Sequence, residues 1–211
     1  MNAGKFITFE GGEGGGKSTQ VQRLTDGLRN AGVDVVQTRE PGGAPGAEEI
    51  RKLLVTGAVD RWRPETEMLL NYAARVEHVA QTIRPALTSG KWVISDRFHD
   101  STVAYQGYGH GIARQKVDAL HRLLFDDFVP DLTLILDIPV AAGISRTVSR
   151  TGDENRYERM DTDFHERLRS GFLEIAKAAS ERCVVIDASQ SIDQVFSEVS
   201  AAINGRLGTT L

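Results

Sequence analysis

Short apolar runs alternate along the chain with longer stretches whose apolar residues recur every three or four positions. The apolar runs are Lys5–Glu10 (KFITFE), Val33–Val36, Trp92–Ser95, Leu132–Leu136 and Cys183–Ile186. Each has strand length, and Leu132–Leu136 is the near-continuous kind found where a strand is covered on both faces. The periodic stretches predict helices. Lys17–Asn30 carries Val21, Leu24 and Leu28 at helical spacing and stops at Gly32. Pro64–Leu87 steps through Leu69, Ala73, Val76, Ala80, Ile83 and Leu87, an apolar stripe expected to face a core. Glu48–Leu54, Val117–Phe125, Asp163–Ala179 and Ile192–Leu207 complete the set. Strands alternating with helices predict an α/β fold: a five-stranded parallel sheet with helices on both faces. In such sheets ligands bind beyond the carboxyl ends of the strands.

Two segments break the pattern and read as mobile. Pro41–Pro45 (PGGAP) is too rich in Gly and Pro for the interior of an element. Residues 145–159 are dense in arginine and poor in apolar side chains.

Composition narrows the class of protein. With 211 residues the chain is expected to be one domain spanning 1–211. A net charge of −4 argues against a dedicated nucleic-acid binder. No apolar run approaches the ~18 residues that would cross a bilayer. The first residues lead straight into a strand without an apolar leader, so a cytoplasmic protein without membrane partners is expected. The single cysteine, Cys183, excludes an intrachain disulfide and reads as a buried strand thiol.

The chemistry begins after the first strand. Gly11-Gly12-Glu13-Gly14-Gly15-Gly16-Lys17-Ser18 fits G-x-x-x-x-G-K-[ST]. Glycines let backbone N–H groups turn inward around phosphates, and the following helix adds its positive dipole end. Lys17 is placed to reach the β and γ phosphates of a bound nucleoside triphosphate, and Ser18 to ligate Mg²⁺. Two apolar strands end in aspartate, Asp96 and Asp137, and either could add a metal carboxylate. Asp96, followed by Arg97, is the preferred one. Asp137 suits a helix-capping role equally well.

On the long helix Glu67, Asn71, Arg75 and His78 share a face opposite the apolar stripe. For Glu67 and His78 a solvated polar face is the favoured reading, and from spacing alone Arg75 could be either surface or ligand. The guanine-reading N-K-x-D and the switch D-x-x-G are both missing from the sequence. A short chain with a phosphate loop and an arginine-rich segment suggests a small phosphotransferase, because transfer between phosphates requires water to be excluded and charge neutralised.

Beyond the phosphate loop, an ordered set of segments resembles bacterial thymidylate kinases over nearly the whole chain. They are FEGGEGGGKST at Phe9–Thr19, TREPGGAPGAEEIRKLL at Thr38–Leu54, YAARVEH at Tyr72–His78, SDRFHDSTVAYQGYG at Ser95–Gly109 and PDLTLILDIP at Pro130–Pro139, followed by an arginine-bearing segment. The resemblance implies the P-loop nucleoside monophosphate kinase fold with a small lid at about 145–160, a homodimer, and transfer of the ATP γ-phosphoryl group to dTMP. It implies that Gly11–Gly16, Lys17, Ser18 and Thr19 hold ATP, with Arg146, Ser189 and Gln190 on the adenine side. Glu13 matches the acidic loop position. Arg150 is its first choice for the catalytic lid arginine, with Arg146 and Arg156 as neighbours. Arg97 matches the residue gripping the acceptor phosphate, a task suited to a bidentate fork. Glu40 and Arg51 match acceptor-side positions, and Arg75 the arginine at the thymine edge. Ser101, Thr102 and Gln106 line the base pocket, and Tyr105 crowds the ribose 2′ position.

There is one departure. The family usually has Phe four residues before the pocket arginine, stacked on the thymine, and here Asn71 stands there. The expectation is either a weak KM for dTMP or compensation by another ring, such as Phe98 or Tyr105; neighbouring Tyr72 is rotated by about 100° and is not an automatic substitute. The departure leaves a related deoxynucleoside monophosphate kinase with a shifted acceptor base as the alternative. A non-catalytic nucleotide-binding regulator and an ATPase without an acceptor are more distant readings.

Overall fold

A computed structural model describes residues 4–147 and 155–210. Five strands form one sheet: β1 (Phe6–Glu10), β2 (Val35–Arg39), β3 (Trp92–Asp96), β4 (Leu132–Asp137) and β5 (Cys183–Asp187). Their order is β2-β3-β1-β4-β5, and every described pairing is parallel. The expected strands are thus all present, with β2 starting two residues later and running to Arg39. Parallel strands need crossovers, and the helices supply them: α1 (Lys17–Asn30), α2 (Pro45–Val55), α3 (Pro64–His78), α4 (Arg84–Thr88), α5 (His99–Thr102), α6 (Arg114–Phe125), α7 (Val140–Thr147), α8 (Thr162–Ala178) and α9 (Ile192–Leu207).

Both faces of the sheet are buried, which explains the continuous apolar runs. On one side Ile7, Phe9, Ile94 and Leu134 pack against Val21, Leu24 and Leu28 of α1 and Val195, Val199 and Ile203 of α9. On the other, Phe6, Val93 and Ile135 join a cluster with Tyr72, Phe98, Phe164, Leu168 and Phe172. Cys183 is buried in this second cluster, as its strand context implied.

The long helix corrects the sequence reading twice. First, it is not uniform. α3 passes into a π-helical turn at Val79–Ile83 before α4. A π turn adds a residue to the helical repeat and rotates everything after it, so Ile83 is fully buried although Leu69 and Val76, nominally on its face, are 54% and 38% exposed. Second, α3 is inverted. Its polar face, Glu67, Arg75 and His78, is buried and its apolar stripe lies outside. The buried charges are paired with one another's neighbours, as described below, which is what makes their burial tolerable.

Pro41–Pro45 is also more fixed than its composition suggests. Pro45 opens α2 at its first helical position, where a missing N–H costs nothing. The Gly43 N–H donates to Glu48, the Thr82 hydroxyl to Gly43 O, and Arg51 to Pro41 O.

Candidate active site

The phosphate loop sits between β1 and α1 and is pressed against the start of α7. Gly11 and Gly14 have φ of 125° and 72°, a region L side chains avoid. A β-carbon on Gly14 would overlap the Gly143 carbonyl, and one on Gly11 the Leu136 carbonyl. Lys17 folds back over the loop, donating to Gly12 O at 2.7 Å and Gly11 O at 3.2 Å. Burial and the nearby Arg97 pull its ammonium down to about 8, against the opposing influence of Glu13, Asp96 and Glu10. Ser18 and Thr19 lie exposed on the first turn of α1.

Of the two strand-end aspartates, Asp96 is the one bonded to Ser18, whose hydroxyl donates to it at 2.8 Å. Asp137 is instead held by both arms of Arg169, each at 2.8 Å. Hard oxygen donors paired at a helix start, beside a phosphate cradle, fit a divalent cation shared with bound phosphates. Among the described residues no three His, Cys, Asp or Glu side chains cluster as a self-sufficient metal cage.

Arg97 is the most constrained residue of the site. Its φ of 73° is rare for a residue with a side chain and costs on the order of 1–2 kcal/mol. Three bonds impose it: Arg97 N–H to Phe9 O at 2.9 Å, the Ser95 hydroxyl to Arg97 O at 2.7 Å, and Phe98 N–H to Glu10 at 2.8 Å. The strained turn aims the guanidinium at Gly11 O, Ser101 and Glu13, all within 3.0 Å. Glu13 also accepts from the Tyr105 hydroxyl.

Glu10 is a site residue the sequence reading missed. It is fully buried, accepts from Ser101 as well as Phe98, and is pushed up to about 7 by burial and by Asp100, partly countered by its hydrogen bonds and Arg97. An acid ending an apolar strand just before a glycine loop was the available signal.

The second half of the site forms between α3, α5 and the π-helical turn Val103–Gly109. Arg75 donates to Glu40 at 2.7 Å, Thr102 at 2.9 Å and Phe98 O at 3.1 Å. Its remaining guanidinium nitrogen, Nη1, is buried without a protein partner. Glu40 is shared with His78 at 2.9 Å. Burial would raise this carboxyl, but Arg75 and His78 hold it below its usual range. His78 is therefore part of the site's support and not a solvated surface group.

One cavity is lined by Glu13, Glu40, Arg51, Asn71, Arg75, Arg97, Ser101, Thr102, Tyr105 and Gln106, which unites nearly all the expected acceptor-side residues. Pro41, Val55, Phe98, Tyr157 and Glu158 also line it. Tyr72 does not. Its ring is buried in the core, its hydroxyl donates to Val117 O at 2.9 Å, and it supports Arg75 from behind, 4.9 Å from ring centre to guanidinium. A second cavity runs along Gly14, Gly16, Lys17, Ser18 and Asp96 and shares Glu13, Glu40, Arg51 and Arg97 with the first.

On the far side of the loop Arg146 bridges Gly14 O at 3.5 Å and Ala188 O at 3.0 Å, next to Ser189 and Gln190. Those two are tied to Asp187 and Glu198 respectively. Arg156, expected beside the catalytic lid arginine, is corrected. It is completely buried, paired with Glu67, and bonded to the carbonyls of Leu54, Ala58 and Val59. Arg150 lies outside the described residues.

A parallel sheet with a phosphate loop after its first strand, abutting a second charged pocket, defines a P-loop nucleoside monophosphate kinase. A family model described as thymidylate kinase matches residues 9–199. The chain is 53% identical to the thymidylate kinase of Caulobacter vibrioides, over 99% of this chain and 100% of that one. It is 48% identical to that of Ruegeria pomeroyi, over 98% of each. The crystal structure of thymidylate kinase from Ehrlichia chaffeensis superposes with a TM-score of 0.79 at 39% identity, covering 96% and 99% of the two chains. The chain belongs to the thymidylate kinase family.

Proposed function

We propose that this protein transfers the γ-phosphoryl group of ATP to dTMP, yielding ADP and dTDP. The observation that carries the reading is the meeting of the two cavities. The loop cavity and the Arg75 pocket share Glu13, Glu40, Arg51 and Arg97, so a phosphate entering from either side reaches the same cluster. Gly11–Gly16 and the first turn of α1 bind the triphosphate through backbone N–H groups. Lys17 swings from the loop carbonyls to the β and γ phosphates, and Arg97 grips the acceptor phosphate. Arg51 neutralises charge between them. Transfer of this kind needs little proton chemistry from the protein and much alignment and charge compensation.

Ser18 and Asp96 would hold Mg²⁺. When bound, the ion offsets charge on the β and γ phosphate oxygens. Arg146, Ser189 and Gln190 mark the adenine side. Arg150 enters as the arginine neutralising the transferring group on the strength of the family resemblance alone, within a lid segment at about 145–160 of a single kinase domain.

Arg75, with one nitrogen unpaired, meets a thymine carbonyl, and Thr102, Gln106 and Asn71 complete the polar edge. Tyr105, pinned to Glu13, stands beside the sugar and favours a deoxyribose. The exposed stripe of α3 and the π turn after it, Leu69, Ala73, Val76 and Ala80, supports a homodimer, since an apolar helix face of this kind marks a protein contact. No helix among the described residues is long and apolar enough to cross a membrane. The reading places the enzyme in the cytoplasm.

The test is a coupled ADP-release assay with ATP and Mg²⁺ against dTMP, dUMP, dCMP, dGMP, dAMP and UMP. Stimulation confined largely to dTMP supports the reading. Stimulation by another monophosphate alone refutes the acceptor assignment.

A further inference from the structure

The acceptor pocket has an amide, Asn71, on its helix wall and three rings in its lining: Phe98, Tyr105 and Tyr157. Phe98 and Tyr105 are nearly consumed by the core, at 1% and 5% exposed. Tyr157 is partly buried and the most exposed of the three. The ring stands edge-on to Tyr105, with centroids 5.2 Å apart.

The position of Tyr157 is set by its neighbour. Arg156 is completely buried, with Nε, Nη1 and Nη2 on the carbonyls of Ala58, Leu54 and Val59 and an ion pair to Glu67. Glu67 in turn accepts from Gln106 at 2.7 Å, and its backbone carbonyl accepts from Asn71 at 2.9 Å. The Tyr157 hydroxyl faces the side chains of both Glu67 and Asn71. Burial would raise the Glu67 carboxyl, but His110 and Arg156 hold it below its usual range, so it stays a charged anchor.

We propose that Tyr157 is a base-binding residue of the acceptor pocket, its ring held against the nucleobase by the buried Arg156–Glu67 pair. This inference rests on the dTMP reading above. It makes Tyr157 a contact residue and Glu67 a positioning residue that acts through it.

The test uses the full chain and measures dTMP binding by calorimetry together with steady-state kinetics. Removing one base–aromatic contact is worth ~1–3 kcal/mol, or roughly 5- to 150-fold in affinity. Tyr157→Leu is expected to raise both the Kd and the KM for dTMP about 10-fold or more while kcat and the KM for ATP change by less than about threefold. Tyr157→Phe keeps the ring and is expected to stay within about threefold of wild type. Glu67→Gln is expected to shift the dTMP KM in the same direction as Tyr157→Leu and to spare the KM for ATP, a split that general destabilisation does not produce. If Glu67→Gln does not fold, the two Tyr157 variants decide the matter. Unchanged dTMP affinity in Tyr157→Leu overturns the inference while leaving the acceptor assignment intact. An equal loss in Tyr157→Phe overturns the ring contact. Failure of the wild-type protein to bind dTMP overturns both the inference and the reading beneath it.

Discussion

Replacing Arg75 by lysine is the perturbation for which the geometry gives the clearest expectation. Lysine keeps a positive charge beside Glu40, so the buried carboxylate is not abandoned, a loss that would cost about 3–5 kcal/mol. What disappears is the fork. Arg75 bonds Glu40, Phe98 O and Thr102, and its Nη1 is buried without a protein partner. A single ammonium cannot cover these directions at once. Losing the bonds to Phe98 O and Thr102, both from a charged donor, should destabilise the fold by roughly 3–6 kcal/mol, at about 1.5–3 kcal/mol each. Losing the bond from Nη1 to a base carbonyl removes a hydrogen bond from a charged donor, worth about 1.5–3 kcal/mol. That is an increase of roughly 10- to 150-fold in the dTMP KM. Because the base is remote from the transferring phosphoryl group, kcat should fall far less than kcat/KM. Urea unfolding reads the first effect and a dTMP titration in the ADP-release assay the second. A dTMP KM within about twofold of wild type, in a variant shown to be folded, would refute the assignment of Nη1 to the base.

Three further expectations follow from other parts of the site. Asp96→Asn, which keeps shape but removes charge beside Ser18, should raise the Mg²⁺ concentration for half-maximal turnover by at least about 10-fold, measured by metal titration at fixed ATP. An unchanged metal requirement would move the carboxylate role elsewhere. Lys17 is held at about 8 in the free protein, and a bound triphosphate favours its charged form, so ATP binding should take up protons near and above that pH and weaken as pH rises through it. Calorimetry at pH 8.5 in buffers of different ionisation enthalpy reads the uptake, which should vanish in Lys17→Met. Charges placed on the exposed stripe of α3, as in Leu69→Glu with Val76→Glu, should yield a monomer by sedimentation, whereas a wild-type protein that is itself monomeric would contradict the dimer.

The strands and the phosphate loop were legible in the sequence because each is determined locally. An apolar run of strand length admits few other readings, and a glycine loop between strand and helix carries its own geometry. The inside of α3 was not legible from periodicity, although the family resemblance picked out Arg75. Amphipathicity assigns the polar face to water, but Arg75 and His78 meet at Glu40, some forty residues earlier, and Glu67 meets Arg156, almost ninety residues later. Single-segment periodicity contains no record of such partners. The π turn at Val79–Ile83 is equally silent in sequence, yet it decides that Ile83 is buried while Val76 is exposed. Glu10 and Tyr157 show the same limit for the site. Their residue types are ordinary, and only the fold sets Glu10 against Phe98 N–H and Ser101 and brings Tyr157, beside the buried Arg156, to the pocket.

The central claim is transfer between two bound phosphates, and following the label tests it most directly. ATP labelled in its γ phosphate is incubated with the protein, Mg²⁺ and dTMP, and the products are separated. The account predicts that label leaves ATP into dTDP with a stoichiometry close to one per ADP formed, and that little inorganic phosphate appears with or without dTMP. Label accumulating as inorganic phosphate at a rate indifferent to dTMP would contradict it.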